Sequence, residues 1–193
     1  MGVMPVGSAA SDLPRRRFTV AEVYRMTADG ILHEDEPVQL LDGELIVVSP
    51  QDPSHAACVA ELTARLAEAY GRGRHVRCQL PLEATPDSLP EPDVAVVAGQ
   101  PLDYRGRHPA GRDVCLIVEV ARTSQELDHR KAAIYSRGGV PVYWLVDLLA
   151  RTVAVFSEPT ERGTFERQKI LAVSQQIELP GLDIRWAVSD VVV

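Results

Sequence analysis

The pattern of apolar and polar residues predicts three helices, two of which begin with a capping box. Thr19 and Glu22 stand three residues apart at the start of the first helix, where their side chains can satisfy free backbone N–H groups. Thr123 and Glu126 have the same spacing before the third helix, and Gly138-Gly139 supplies its stop. The predicted helices cover residues 18–26, 55–70 and 124–137.

Strands are predicted where apolar residues alternate or run continuously between turn residues. Asp42-Gly43 lies between two apolar stretches, which predicts a tight hairpin. Residues 114–120, VCLIVEV, are apolar on both alternating faces apart from one acid, which predicts a central strand covered on both sides. Further strands are predicted over residues 75–82 and 93–97, and a second hairpin over 140–147 and 152–158. This order of elements predicts an α/β fold with a mixed central sheet flanked by helices.

Chain length and composition favour one soluble domain. The 193 residues suffice for a sizeable core, so we expect a single domain over residues 15–193 after a disordered lead-in over residues 1–14. Charged residues interrupt every long apolar run, so no membrane-spanning segment is expected. The three cysteines are an odd number without metal-type spacing, and Cys115 lies in an apolar run as expected for a buried reduced thiol. A cytoplasmic location fits this usage.

The net charge of the chain argues against tight binding to nucleic acid. A formal charge of −7 is evidence against a strong, sequence-independent grip on DNA, which normally needs a basic surface. Arginines do cluster locally, and a solvated surface is favoured over a phosphate-binding track for them. The clusters are Arg15 to Arg17, then Arg72, Arg74 and Arg77, then Arg105, Arg107 and Arg112.

Glu119 is the most informative candidate for chemistry. It stands near the end of the apolar strand, on the face predicted to carry Cys115 and Ile117. An unpaired carboxylate in such a place is costly, so it must be neutralised, paired or bound to a metal. Glu119 alone leaves open a buried ion pair, for example with Arg122, and partial exposure at the strand end.

Asp93 suggests a partner for this acid. It follows Pro92 and begins a short apolar strand, although a simple turn into a strand is the alternative for that pair. If the two strands are neighbours, Asp93 and Glu119 converge at one end of the sheet, where a cation would relieve their repulsion. Mg²⁺ takes oxygen ligands and keeps several waters, so two acids and one main-chain carbonyl are sufficient.

Lys131 is a third candidate. It shares one face of the predicted third helix with Ile134 and Tyr135, which is the face that should pack on the sheet. The chain has two lysines, Lys131 and Lys169, against 18 arginines, so a lysine here indicates a need for a compact ammonium. A side chain that snorkels at the edge of the stripe is the alternative. Asp128, three residues earlier, either complements the helix N-terminus or orients Lys131.

These residues carry a resemblance to a known group of enzymes. Pro92-Asp93 followed by Glu119-Val120-Ala121 resembles the PD-(D/E)XK nuclease superfamily, with Ala121 where that pattern has lysine. From about Phe18 onward the chain is similar to the Uma family of restriction-endonuclease-like proteins, in which the lysine lies on the following helix and here falls on Lys131. The matching strings are VQLLDGELIVVSP, SHA, EPDVAVV and IVEVARTSQELDHRKAAIYSRGGVPVYWLVD.

The resemblance implies a restriction-endonuclease-like fold and a metal-dependent endonuclease that hydrolyses phosphodiester bonds in nucleic acid, with DNA expected. It implies Mg²⁺ or Mn²⁺ bound by Asp93, Glu119 and the carbonyl of Val120, with Lys131 beside them. It also points to Glu44 in DGEL and to His55 in PSHA, for which a solvated acid and a packing histidine are the alternatives.

Two further function classes remain open from the sequence. One is a binding module on a nuclease-like fold without catalysis, which the acidic net charge favours; the other is a hydrolase of small nucleotides. The resemblance also implies a homodimer. The apolar hairpin VPVYWLVD with Phe156 fits a dimer interface or the core of a single chain equally well.

Overall fold

The computed structural model describes residues 14–33, 35–71, 73–121 and 125–193, without the side chains of residues 125 and 126. Apart from Pro14, the predicted lead-in lies outside these residues. Within them, no helix combines the length and the apolar character that crossing a membrane requires.

The three helices lie close to their predicted positions. They are α1 (Val20–Ala28), α2 (Pro53–Tyr70) and α3 (Gln125–Arg137). Thr19 caps α1 and forms the predicted capping box with Glu22. α2 begins two residues before the predicted start, because the Asp52 carboxylate accepts hydrogen bonds from the backbone N–H groups of Ser54 and His55.

The predicted tight hairpin joins β1 (Val38–Leu41) to β2 (Glu44–Val47) in antiparallel pairing. Its two turn residues, Asp42 and Gly43, have φ angles of 50° and 75°. A two-residue hairpin turn of type I′ needs positive φ at both positions, and Asp-Gly adopts it at low cost. The turn sequence therefore sets the register of this hairpin.

A six-stranded mixed sheet forms the centre of the fold, in the order β3-β4-β5-β6-β7-β8. β5 and β6 are parallel and are connected through α3, whereas the other neighbours are antiparallel. β5 lies inside the sheet as its apolar faces predict, and β6 with β7 is the predicted second hairpin. The strands are β3 (Arg74–Cys78), β4 (Val94–Ala98), β5 (Val114–Ala121), β6 (Val142–Asp147), β7 (Thr152–Pro159) and β8 (Phe165–Ala172).

The end of β3 follows from local backbone chemistry. The strand predicted over residues 75–82 ends at Cys78, because Gln79 has a φ angle of 50° and turns the chain away from the sheet. After β8, the chain forms a small antiparallel pair, β9 (Gln176–Glu178) with β10 (Arg185–Ala187).

Two hydrophobic clusters cover the two faces of the sheet. α2 packs Leu62 and Leu66 on one face, together with the C-terminal residues of the chain. α3 packs Ile134 and Tyr135 on the other face. Tyr143 and Trp144 are fully buried, one in each cluster, so the hairpin that fitted either core or dimer interface is core within the single chain.

The predicted face of Cys115 is wrong. Cys115 is half-buried and packs in the α2 cluster, whereas Ile117 packs in the α3 cluster. The register between β4 and β5 shifts at Val96 and Val97, so the alternation of β5 is broken at its start. Simple alternation therefore holds for Glu119 and Ile117 but not for Cys115.

The α2 face predicts the effect of a core truncation. Leu62→Ala removes a fully buried side chain and should lower the free energy of unfolding by about 2–5 kcal/mol, because a cavity replaces the lost contacts. Leu149→Ala, in the exposed β6–β7 turn, should change it by less than about 0.5 kcal/mol. Chemical denaturation measures both, and equal losses would contradict the assigned core.

Candidate active site

Asp93 lies directly before β4, where the pairing of β4 with β5 ends. The last residue pair is Val94 with Val118, and Oδ2 of Asp93 accepts a hydrogen bond of 2.9 Å from the N–H of Val120 just beyond it. In a strand, the N–H and C=O of one residue point to the same side. The carbonyl of Val120 therefore points toward Asp93, beyond the reach of the β4 ladder.

Two other elements hold the Asp93 carboxylate. Nε2 of His55, in the first turn of α2, lies 3.0 Å from Oδ2, and the His55 side chain is only 13% exposed. This hydrogen bond raises the pKa of His55, although burial opposes the rise. Nε2 of Gln79, at the end of β3, lies 3.4 Å from Oδ1. Asp93 is thus fixed by α2, by the turn after β3 and by β5 together.

Glu119 points from β5 to the α3 face and is 4% exposed. Its Oε1 accepts hydrogen bonds from Nζ of Lys131, at 3.0 Å, and from the hydroxyl of Tyr135. Burial raises the pKa of Glu119; the charge of Lys131 opposes the rise and that of Asp93 adds to it. Asp93 binds the N–H of Val120, the residue that follows Glu119, so the structure brings the two acids to the same end of the sheet.

Lys131 is buried on the inner face of α3, with 6% of its surface exposed. The snorkelling alternative therefore does not apply. Burial alone would lower the pKa of Lys131, but the charge and hydrogen bond of Glu119, together with the charges of Asp93 and Asp128, raise it. The ammonium is held charged beside the acid.

The Arg122 partner considered from sequence for Glu119 stays untested. Arg122, Thr123 and Ser124 lie outside the described residues, as does the side chain of Glu126, so neither the Arg122 pair nor the α3 capping box is tested. Within the described residues, Glu119 forms its buried ion pair with Lys131.

Glu44 lies with a different group of residues. Nη2 of Arg130 is 3.0 Å from its carboxylate and Nη1 of Arg15 is 3.9 Å away. Arg130 also pairs with Asp42 in the hairpin turn at 3.3 Å. The contacts of Glu44 in the described residues tie the β1–β2 hairpin to α3, one residue before Lys131.

Sequence reasoning missed two contributors to the site. Tyr135 follows Lys131 by one helical turn, and that shared face was the available signal for a phenol reaching the same acid. Gln79 had no signal, because its side chain meets Asp93 only through the turn that ends β3.

The donor set suits a hard divalent cation. Among the described residues, no group of three or more His, Cys, Asp or Glu side chains is arranged to hold a metal ion. Two carboxylates and one carbonyl supply oxygen ligands of the kind that Mg²⁺ or Mn²⁺ prefers, with water completing the shell. Glu119 uses one oxygen for both described hydrogen bonds. Among the residues that the structure describes, Oδ1 of Asp93 has only its long contact with Gln79. These residues therefore fit such an ion.

The fold is shared with a solved protein of low sequence similarity. A crystal structure described as "a putative nuclease belonging to DUF820" from Anabaena variabilis ATCC 29413 matches with a TM-score of 0.71 and 16% identity. The match covers 91% of this chain and 97% of that one. The predicted restriction-endonuclease-like α/β fold is confirmed by this likeness. No curated protein matches the sequence.

The predicted resemblance to the Uma family is confirmed by the sequence model of one family. That model, Uma2, described as "Putative restriction endonuclease", matches residues 20–189 and includes every candidate site residue. The chain belongs to the Uma2 family of nuclease-like proteins.

Proposed function

We propose that this protein is a metal-dependent endonuclease that hydrolyses phosphodiester bonds in nucleic acid, with DNA as the expected substrate. The observation that carries the proposal is that Asp93 binds the N–H of Val120, the residue next to Glu119, at the end of the β4–β5 pairing. The buried ammonium of Lys131 binds Glu119 itself. Family membership agrees with nuclease chemistry.

In this proposal, Asp93, Glu119 and the carbonyl of Val120 would hold Mg²⁺ or Mn²⁺. Such an ion supplies positive charge against phosphate oxygens and makes water more acidic. The chain contributes the orientation of these ligands. The Val120 N–H and His55 fix Asp93, and the hydroxyl of Tyr135 fixes Glu119.

Lys131 would act on the phosphate. Its ammonium is placed where little water reaches it, so its charge is weakly screened. A fixed positive group of this kind stabilises negative charge that develops on phosphate oxygens and orients an attacking water. His55 and Glu44 are proposed as supporting residues, His55 through Asp93 and Glu44 through Arg130.

The proposal also includes a cytoplasmic location and a homodimer. Three free thiols agree with a reducing compartment. The homodimer is supported by the family resemblance alone. Since Tyr143 and Trp144 are buried within one chain, a dimer would use another surface.

A nuclease-fold binding module without catalysis is the second candidate. The neutralisation of Glu119 within the chain favours it, since the acid is paired without an ion. So does the internal pairing of arginines such as Arg16 with Glu22 and Arg107 with Asp113, which removes charge from a phosphate track. Metal binding and cleavage separate the two candidates.

Metal binding tests the ligand set directly. Isothermal titration of the wild-type protein with Mn²⁺ should show binding that Asp93→Asn and Glu119→Gln each weaken about tenfold or more, because each variant removes an anionic ligand. Asp113→Asn removes a carboxylate paired with Arg107 elsewhere and should leave binding unchanged. Absence of Mn²⁺ binding by the wild type would refute the metal site.

Cleavage tests the two acids. With Mn²⁺ or Mg²⁺, the wild type should cut plasmid DNA, and Asp93→Asn and Glu119→Gln should lower the rate by about a hundredfold or more. The amides keep side-chain volume. Glu119→Ala would instead leave the buried Lys131 ammonium without its hydrogen-bond acceptor and cost about 3–5 kcal/mol of stability. Equal cleavage by the wild type and both variants would reject the assignment.

Lys131 has a matched control in the chain. Lys131→Met should lower the cleavage rate about 100- to 1000-fold, the usual effect of losing one group that stabilises transition-state charge, while Mn²⁺ still binds. Lys169→Met, in the exposed strand β8, should cleave like the wild type. Full activity of Lys131→Met, measured with folding checked by circular dichroism, would exclude the proposed role.

A further inference from the structure

Asp128 is a buried carboxylate that the proposed chemistry does not use. It lies on α3 one turn before Lys131, and 7% of its surface is exposed. Its Oδ2 is shielded from solvent and has no hydrogen-bond partner within the described residues. A buried unpaired carboxylate oxygen is costly, so its retention here needs an explanation.

The surroundings of Asp128 point to the site already described. Burial raises the pKa of Asp128 to about 6, the charge of Lys131 opposes that rise, and the charge of Asp93 adds to it. Both groups therefore act on the charge of Asp128, while the direct ion pair of Lys131 in the described residues is with Glu119. Residues three apart on a helix are neighbours on its surface, which places Asp128 on the side from which Lys131 extends.

Lys131 has hydrogen-bonding capacity left over. An ammonium carries three N–H donors, and the one hydrogen bond of Lys131 in the described residues goes to Glu119. The unused donors of Lys131 and the unused acceptor of Asp128 lie on one helix face in the same buried region. A water between them, or a small rotation of either side chain, would satisfy both groups.

We propose that Asp128 is a positioning residue of the proposed nuclease site, whose carboxylate fixes the direction of the Lys131 ammonium together with Glu119. The inference rests on the proposed function for its effect on catalysis. A second acid joined to the ammonium through a bridging water would restrict its rotation more than the single hydrogen bond to Glu119 does. A fixed ammonium stabilises charge on a phosphate without having to reorient during the reaction.

The first arm of the test is kinetic. Asp128→Asn keeps the size of the side chain and removes its charge, and it should lower kcat about 10- to 100-fold with KM changed by less than about twofold, as for outer residues that orient a site. Asp128→Glu should recover part of kcat. The substrate is a fluorescent double-stranded DNA oligonucleotide with Mn²⁺, and thermal melting checks the fold.

Asp147→Asn is the matched control. Asp147 stands at the end of β6, and its Oδ1 accepts a hydrogen bond from the N–H of Ala150, which an asparagine also accepts. Its charge acts on Asp128, so the variant removes one negative charge from the same region without touching the helix face. It should keep wild-type kcat. If kcat falls as much as in Asp128→Asn, the loss of one negative charge explains both results, and the proposal is overturned.

The second arm does not depend on activity. Since the chain has two lysines, NMR of protein labelled with ¹³C and ¹⁵N in lysine gives two Cε signals, which Lys169→Arg assigns. In the wild type, the Cε group of Lys131 should be far less mobile than that of exposed Lys169. Asp128→Asn should shift the Lys131 signal and increase its mobility, whereas Asp147→Asn should not.

An unchanged Lys131 signal in Asp128→Asn overturns the positioning role, even if kcat falls. Wild-type kcat in a folded Asp128→Asn protein also overturns it. If neither the wild type nor any variant cleaves DNA, the proposed nuclease function is rejected. The Lys131 signal then still decides whether Asp128 orients the ammonium.

Discussion

The carboxylate of Glu119 lies in a part of the sheet that excludes water. Much of the surrounding structure offsets the free energy that this loss of hydration costs. A charge in such a place needs a partner of opposite sign and enough hydrogen bonds to replace those of water. Lys131 supplies the charge and Tyr135 a second donor, both from the inner face of α3. The helix that covers this face of the sheet is thereby also the helix that completes the candidate site.

The buried carboxylate of Asp93 is stabilised in a different way, by a backbone hydrogen bond. Its oxygen replaces the backbone partner that Val120 would have had if β4 began two residues earlier. The end of the strand pairing thus becomes the place where a side chain can reach the main chain of β5. His55 then connects this carboxylate to α2, so the two helices on opposite faces both contribute to one end of the sheet.

The position of α3 is set by contacts on either side of Lys131. Arg130 binds Asp42 and Glu44 of the β1–β2 hairpin, and Arg137 at the end of the helix also pairs with Asp42. These ion pairs are half-exposed, and each contributes little by itself. Together with the packing of Tyr135 against Tyr143, they hold the helix at the rotation that directs its lysine to Glu119. The β1–β2 hairpin turn therefore affects the position of Lys131 through α3.

Local patterns in the chain were enough to predict the helices, the main strands and the chemically unusual residues. Capping and turn signals are local, so the Thr19 capping box and the Asp42-Gly43 hairpin were predictable. Glu119 and Lys131 stood out because each is a charge within an apolar pattern. Tertiary structure alone decided which groups meet: Gln79 with Asp93, Glu44 with Arg130, and Cys115 on the opposite face through a shift in register. Those contacts depend on strand order and packing between distant segments, and no local pattern in the chain encodes them.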